Sequence, residues 1–283
     1  MAQQGLTVPV VAVVAAKGGV GKTTVAASLC AALAATGLRV LAIDLDPQNA
    51  LRLHLVADLA GCEAGLASAL LHQTPWPHVM RPGRSGVVLL PFGSIDDEIQ
   101  LDIERYLAQQ PDWLRQTLDS FALPPDTLVV LDTPPGPSVY LQQALRVSQL
   151  NVVTLLPDAA SFATLPIIDR MIGKYCGPRE DFLATGYLVN QFDASKRLAR
   201  DVLQALRDSL GERLLGAVHL DQAVSEALAS AVPLKSYAPH AQATHDFDHC
   251  AQQLMHRLGA ATLLPGTASA ARPTFPSEPS HRA

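Results

Sequence analysis

The chain has 283 residues, 48% of them hydrophobic and 17% charged, with a formal net charge of −5. That apolar content excludes a wholly disordered chain, and the mildly acidic balance excludes a global electrostatic footprint for nucleic acid. No apolar stretch reaches the ~18–20 residues that cross a bilayer, and the start lacks the basic segment of a signal peptide, so a cytosolic protein is expected.

Residues 8–15 are an unbroken apolar run and predict a fully buried strand. Residues 23–36 carry Val25, Leu29, Ala32 and Leu33 at helical spacing and predict a helix ended by Gly37. Further strands are expected at 39–44, 86–90, 127–132, 151–155, 184–189 and 215–218, and helices at 96–109, 112–121, 138–147, 195–210 and 241–258. Apolar strands without alternation, separated by helices, predict an α/β fold with a mostly parallel twisted sheet and helices on both faces. One domain is expected over 1–264. A disordered Pro/Ser/Ala-rich tail is expected over 265–283, without the amphipathic run that would bind a membrane. Cys30, Cys62, Cys176 and Cys250 form no CxxC pair and fit reduced, buried thiols.

Only five lysines occur, and two of them fall in Ala16-Lys17-Gly18-Gly19-Val20-Gly21-Lys22-Thr23-Thr24. This segment follows a buried strand and opens a helix, the context of a phosphate loop. Its glycines let backbone N–H groups turn around a triphosphate, and the helix N-terminus adds its positive end. Lys22 would reach the β- and γ-phosphates, the Thr23 hydroxyl would ligate Mg²⁺, and Thr24 would donate toward the α-phosphate. ATP and Mg²⁺ are therefore the expected ligands. Downstream, Asp44 and Asp46 close the second strand in Asp44-Leu45-Asp46-Pro47-Gln48, and Asp132 closes another apolar strand before Thr133-Pro134-Pro135-Gly136.

The loop has Ala16 where an ordinary phosphate loop has glycine, and it carries the additional Lys17. In this it resembles the deviant Walker A loop of the ParA/MinD superfamily of ATPases. The resemblance covers about residues 8–258 and implies a P-loop NTPase fold of the SIMIBI type. It implies that Lys17 reaches across an ATP-dependent sandwich homodimer to the partner's phosphates, as an arginine finger does. It also implies that Asp46 orients or deprotonates the attacking water, that Asp44 supports the magnesium shell, and that Asp132 holds Mg²⁺ through a water. The Pro-Gly turn would sense the γ-phosphate through a backbone N–H. Asn190, at a strand end, would read adenine with its amide, and Pro233 would line the other side of the base.

Asn49-Ala50-Leu51-Arg52-Leu53 after the first switch, with Leu89-Leu90-Pro91-Phe92-Gly93, resembles the BcsQ branch found in bacterial cellulose operons. That branch implies slow ATP hydrolysis, cytosolic subunits of a cellulose synthase complex as partners, and recruitment through them to the inner membrane or cell pole. The competing class is a DNA-segregation ATPase. Lys196, Arg197, Arg200 and Arg207 on one helix are its candidate contact. His245 and His249, four apart, lack a third metal ligand and read as a solvated face.

Overall fold

The structure is a computed structural model and describes Leu6 and residues 8–259; the expected tail lies outside the described residues. Eight strands form one sheet: β1 (Val10–Val14), β2 (Arg39–Asp44), β3 (Arg81–Pro82), β4 (Val87–Leu90), β5 (Thr127–Asp132), β6 (Leu150–Leu155), β7 (Ala184–Phe192) and β8 (Leu214–His219). Their order is β3-β4-β2-β5-β1-β6-β7-β8, parallel throughout except where β3 meets β4. The helices are α1 (Lys22–Ala34), α2 (Arg52–Leu55), α3 (Leu66–His72), α4 (Trp76–Val79), α5 (Asp97–Gln109), α6 (Trp113–Ser120), α7 (Val139–Val147), α8 (Ala159–Tyr175), α9 (Arg197–Leu210), α10 (Gln222–Ala229), α11 (Leu234–Tyr237) and α12 (Gln242–Arg257).

The unbroken apolar strands follow from burial on two faces. In β1, Val10, Ala12 and Val14 pack with side chains of α5 to α9, whereas Val11 and Val13 pack with α1 and α12. Each fully buried valine or leucine contributes roughly 1.5–3 kcal/mol relative to exposure. β1 lies between β5 and β6, and its C-terminal end meets the switch point of an open α/β sheet, where such folds bind ligands.

The predicted strands and helices are present, with ends shifted by a few residues. β7 runs on to Phe192 through an irregular register against β8 with Gln191 at φ 56, which the pattern does not show. Helix α8 leaves no clean signal, because Pro166 sits inside it. Pro166 lies on the exposed side, where water can reach the carbonyl it leaves unpaired. All four cysteines are buried and free.

The C-terminal end of α7 is anchored by Arg179, which donates to the carbonyls of Leu145 (2.9 Å), Ser148 (3.0 Å) and Val147 (3.3 Å) and to Asp181 (2.8 Å). Burial alone would raise the Asp181 carboxyl, but Arg179 outweighs it and holds the group below its usual range. A depressed folded pKa contributes stability above the unfolded value, about 3.9, and that contribution is lost as pH falls through the folded value. Arg179→Ala should therefore lower urea stability by about 2 kcal/mol at neutral pH. Asp181→Asn should also be less stable than the parent at neutral pH, with the gap closing as pH falls below about 4. A gap that stays constant across acid titration would remove the ion pair from the account.

Candidate functional site

Leaving β1, the chain turns through Lys17 to Gly21 and enters α1. Gly21, at φ 79, precedes the first helical residue. Any Cβ there would come within 2.4 Å of Asn190 Nδ2. Asn190 is that close because its amide donates to the Val20 carbonyl at 2.9 Å. The residue expected to read adenine thus pins the phosphate loop with one N–H and keeps its remaining amide groups for another partner.

Lys22 and Asp132 meet at the foot of the loop. Lys22 Nζ lies 2.6 Å from Asp132 Oδ1, with the side chains 6% and 0% exposed. Asp132 Oδ2 is buried without a partner. Burial pushes the Asp132 carboxyl up, and the adjoining Lys22 ammonium pulls it only part of the way back.

In the β2–β5 register Asp44 stands opposite Asp132. Burial and the neighbouring Asp132 charge raise the Asp44 carboxyl well above its usual range. Its oxygens accept the backbone N–H groups of Asp46 and Leu51, both at 3.0 Å. Asp44 thereby holds the loop 46–51 against the sheet, next to the carboxylate it is expected to support in a magnesium shell. Asp46 is 8% exposed and accepts the Gln48 N–H at Oδ1 (3.0 Å), leaving Oδ2 for another donor.

Asn49, at φ 50, closes the other end of this loop. Its amide donates to the Cys62 carbonyl (3.1 Å) and its Oδ1 accepts the Phe92 N–H (3.1 Å). The two short motifs that pointed to one branch of the superfamily are therefore joined in space. Gly65 and Gly93 make this possible, since a Cβ on Gly65 would fall 2.2 Å from the Pro91 carbonyl oxygen.

Lys17 is held within its own chain. Its ammonium bridges both carboxyl oxygens of Asp158 at 2.9 and 3.1 Å, with side-chain exposures of 29% and 39%. Asp158 also caps α8 by accepting the Ser161 N–H at 2.6 Å. Its carboxyl sits below the usual range: burial opposes this, and the Ser161 and Lys17 contacts overcome it. The sequence reading missed Asp158, although Asp-x-x-Ser at a helix start is a recognisable cap. The Gly136 N–H, expected to sense phosphate, donates to the Ala15 carbonyl at 2.9 Å.

Thr24 and Pro233 line a shallow cleft along α1, with Ser28, His54, Lys235 and Phe247 among its walls; Asn190 is not part of it. The two expected adenine contacts therefore do not share that concavity. At the start of α9, Lys196 and Arg197 pair with Asp193 and Asp201, and Arg200 donates to the carbonyls of Ala194 and Ser195. His245 and His249 are exposed, as expected for a solvated face.

Among the described residues no cluster of three or more His, Cys, Asp or Glu could hold a metal alone. The unpartnered Asp132 oxygen beside Thr23 fits a magnesium ion, which takes one or two carboxylates plus substrate phosphates.

A family model described as cellulose biosynthesis protein BcsQ matches residues 8–255. The chain is 31% identical to the chromosome-partitioning ATPase Soj of Thermus thermophilus, over 86% of this chain and 93% of that protein. It is 26% identical to the cellulose biosynthesis protein BcsQ of Escherichia coli, over 81% of this chain and 87% of that protein. Among solved structures, the septum site-determining protein MinD from Pyrococcus horikoshii, complexed with Mg-ADP, superposes with a TM-score of 0.70 at 22% identity, covering 89% of this chain and 98% of that one.

Lys22→Ala should abolish ATP binding measured by calorimetry. It also strands Asp132 in the interior, so stability should fall by about 3–5 kcal/mol. Lys22→Ala/Asp132→Asn should recover part of that stability without recovering ATP binding. Unchanged affinity in the single variant would remove the phosphate-loop assignment.

Proposed function

The chain belongs to the cellulose biosynthesis protein BcsQ family within the ParA/MinD-type ATPases, and from that premise we propose that it is an ATP-dependent dimerising switch serving a bacterial cellulose synthase complex. It is a P-loop ATPase whose ligands are ATP and Mg²⁺. The observation that carries the reading is the buried Lys22–Asp132 pair with one carboxylate oxygen to spare, at the entrance to α1.

In the proposed cycle, Lys22 leaves Asp132 for the β- and γ-phosphates, and the loop 18–24 surrounds the triphosphate. Magnesium, held by Thr23 and Asp132, would neutralise charge between the phosphate oxygens. Asp46 orients the attacking water and accepts its proton. Lys17 exchanges Asp158 for the phosphates of a second copy, so each site is complete only in the dimer. Asn190, beside the phosphate loop, takes the base. Partners in the synthase complex, rather than a membrane helix, would bring the switch to the inner membrane or pole; no described helix is long and apolar enough to cross a membrane.

The similarity to Soj favours a second reading, a partitioning ATPase that binds DNA. Against it, two of the four basic residues, Lys196 and Arg197, are paired with aspartates on or beside their own helix, which reduces the charge for phosphate neutralisation.

Three outcomes are expected. Asp46→Ala should bind ATP, hydrolyse it slowly and accumulate as a dimer in light scattering; parent-like phosphate release would remove Asp46 from the mechanism. Mixing Lys17→Ala with Asp46→Ala should restore one hybrid site, because the Lys17→Ala subunit keeps its own Asp46 and receives Lys17 from its partner. Activity without concentration dependence and without rescue would leave a monomeric ATPase. Replacing the native gene by Lys22→Ala should lower cellulose output, whereas ATP-dependent DNA retention at low salt with unchanged cellulose would favour partitioning.

A further inference from the structure

Tyr140 is the second residue of α7, just behind the loop that runs from Asp132 through Gly136. Its ring is 2% exposed and stands edge-on to Phe92, with centroids 5.6 Å apart at 81°. Its hydroxyl is buried and has no hydrogen-bond partner. A buried donor without an acceptor destabilises a fold, and native structures retain few of them. Phenylalanine would fill the same space without that penalty, so the hydroxyl calls for a use outside this resting arrangement.

Burial, and then the negative charges of Glu104 and Asp46, keep the proton on the phenol. Tyr140 is therefore a neutral donor in the field of two carboxylates. Glu104 accepts from Gln100 on its own helix at one oxygen (2.8 Å) and is only half-buried, so water reaches it, whereas Asp46 is 8% exposed. Asp46 has its Oδ2 free, since Gln48 occupies Oδ1. Phe92, against which Tyr140 packs, gives its N–H to Asn49, whose own N–H donates to the Asp46 carbonyl at 2.8 Å. Tyr140, Phe92, Asn49 and Asp46 thus form a connected chain from α7 to the switch loop.

We propose that Tyr140 is a positioning residue for ATP hydrolysis, its hydroxyl donating to the Asp46 carboxylate when the switch loop closes over bound nucleotide. The hydrogen bond fixes the carboxylate's orientation toward the attacking water. This inference rests on the ATPase reading given above. It assigns the unpaired phenol a partner in the closed state and explains why tyrosine occupies a site that phenylalanine would fill.

The test is Tyr140→Phe in the full chain, with turnover measured at saturating ATP across a range of protein concentrations. ATP affinity by calorimetry should stay within about twofold and the melting temperature should equal or exceed the parent's, while kcat falls about tenfold, the scale of one hydrogen bond to a charged group. In single-turnover measurements Tyr140→Phe/Asp46→Asn should be no slower than Asp46→Asn, because both changes remove the same interaction. Parent-like kcat in Tyr140→Phe, a lowered melting temperature with proportionate loss of activity, or additive losses in the double variant would each overturn the proposal. A parent that hydrolyses no ATP would instead overturn the ATPase reading and this proposal with it.

Discussion

Lys22 and Asp132 enter the interior together, and the arrangement of the site depends on that pairing. Lys22 begins α1 and Asp132 ends β5, the neighbour of β1 in the sheet. Neither charge could stay there without the other, because removing one partner of a buried ion pair leaves the second without water or compensation. The pair fixes the start of α1 over the end of β5. It also leaves one buried carboxylate oxygen without a hydrogen-bond partner in the chain, a place suited to a hard cation carried in with phosphate.

The requirement then spreads outward. Because β2 and β5 run parallel in register, Asp44 stands beside Asp132, and a second buried carboxylate must be accommodated. Two backbone donors from the loop 46–51 do this, which draws the loop inward and places Asp46 at the edge of the site. Asn49 secures the far end of the loop on Phe92 and Cys62. The geometry of the candidate water-positioning aspartate is thereby built into the strand pairing.

Several groups expected to meet nucleotide have internal partners. Lys22 has Asp132, Lys17 has Asp158, Asn190 has Val20, and Gly136 has Ala15. Charged and polar groups kept from water need such partners. Each contact is a local alternative to a ligand contact, so binding would exchange one set of hydrogen bonds for another and would not have to create order from none. For Lys17 the exchange is eased by exposure, since both it and Asp158 remain partly in water.

The sequence by itself determined the sheet and its class, because strands covered on both faces must be apolar without alternation, and that pattern survives in one dimension. It also determined the phosphate loop, whose glycines, lysine and threonines work through neighbours in the chain. Helix α8 was hidden by Pro166, and β7 was cut short by its irregular end, since tertiary packing overrode local propensity there. Tertiary structure alone decided the partners separated by long stretches of chain: Lys17 with Asp158, Lys22 with Asp132, Asn49 with Phe92, and the unpaired phenol of Tyr140 beneath the switch loop. Those depend on which strand ends lie side by side, and strand order follows from how the crossover helices pack rather than from the residues of any one strand.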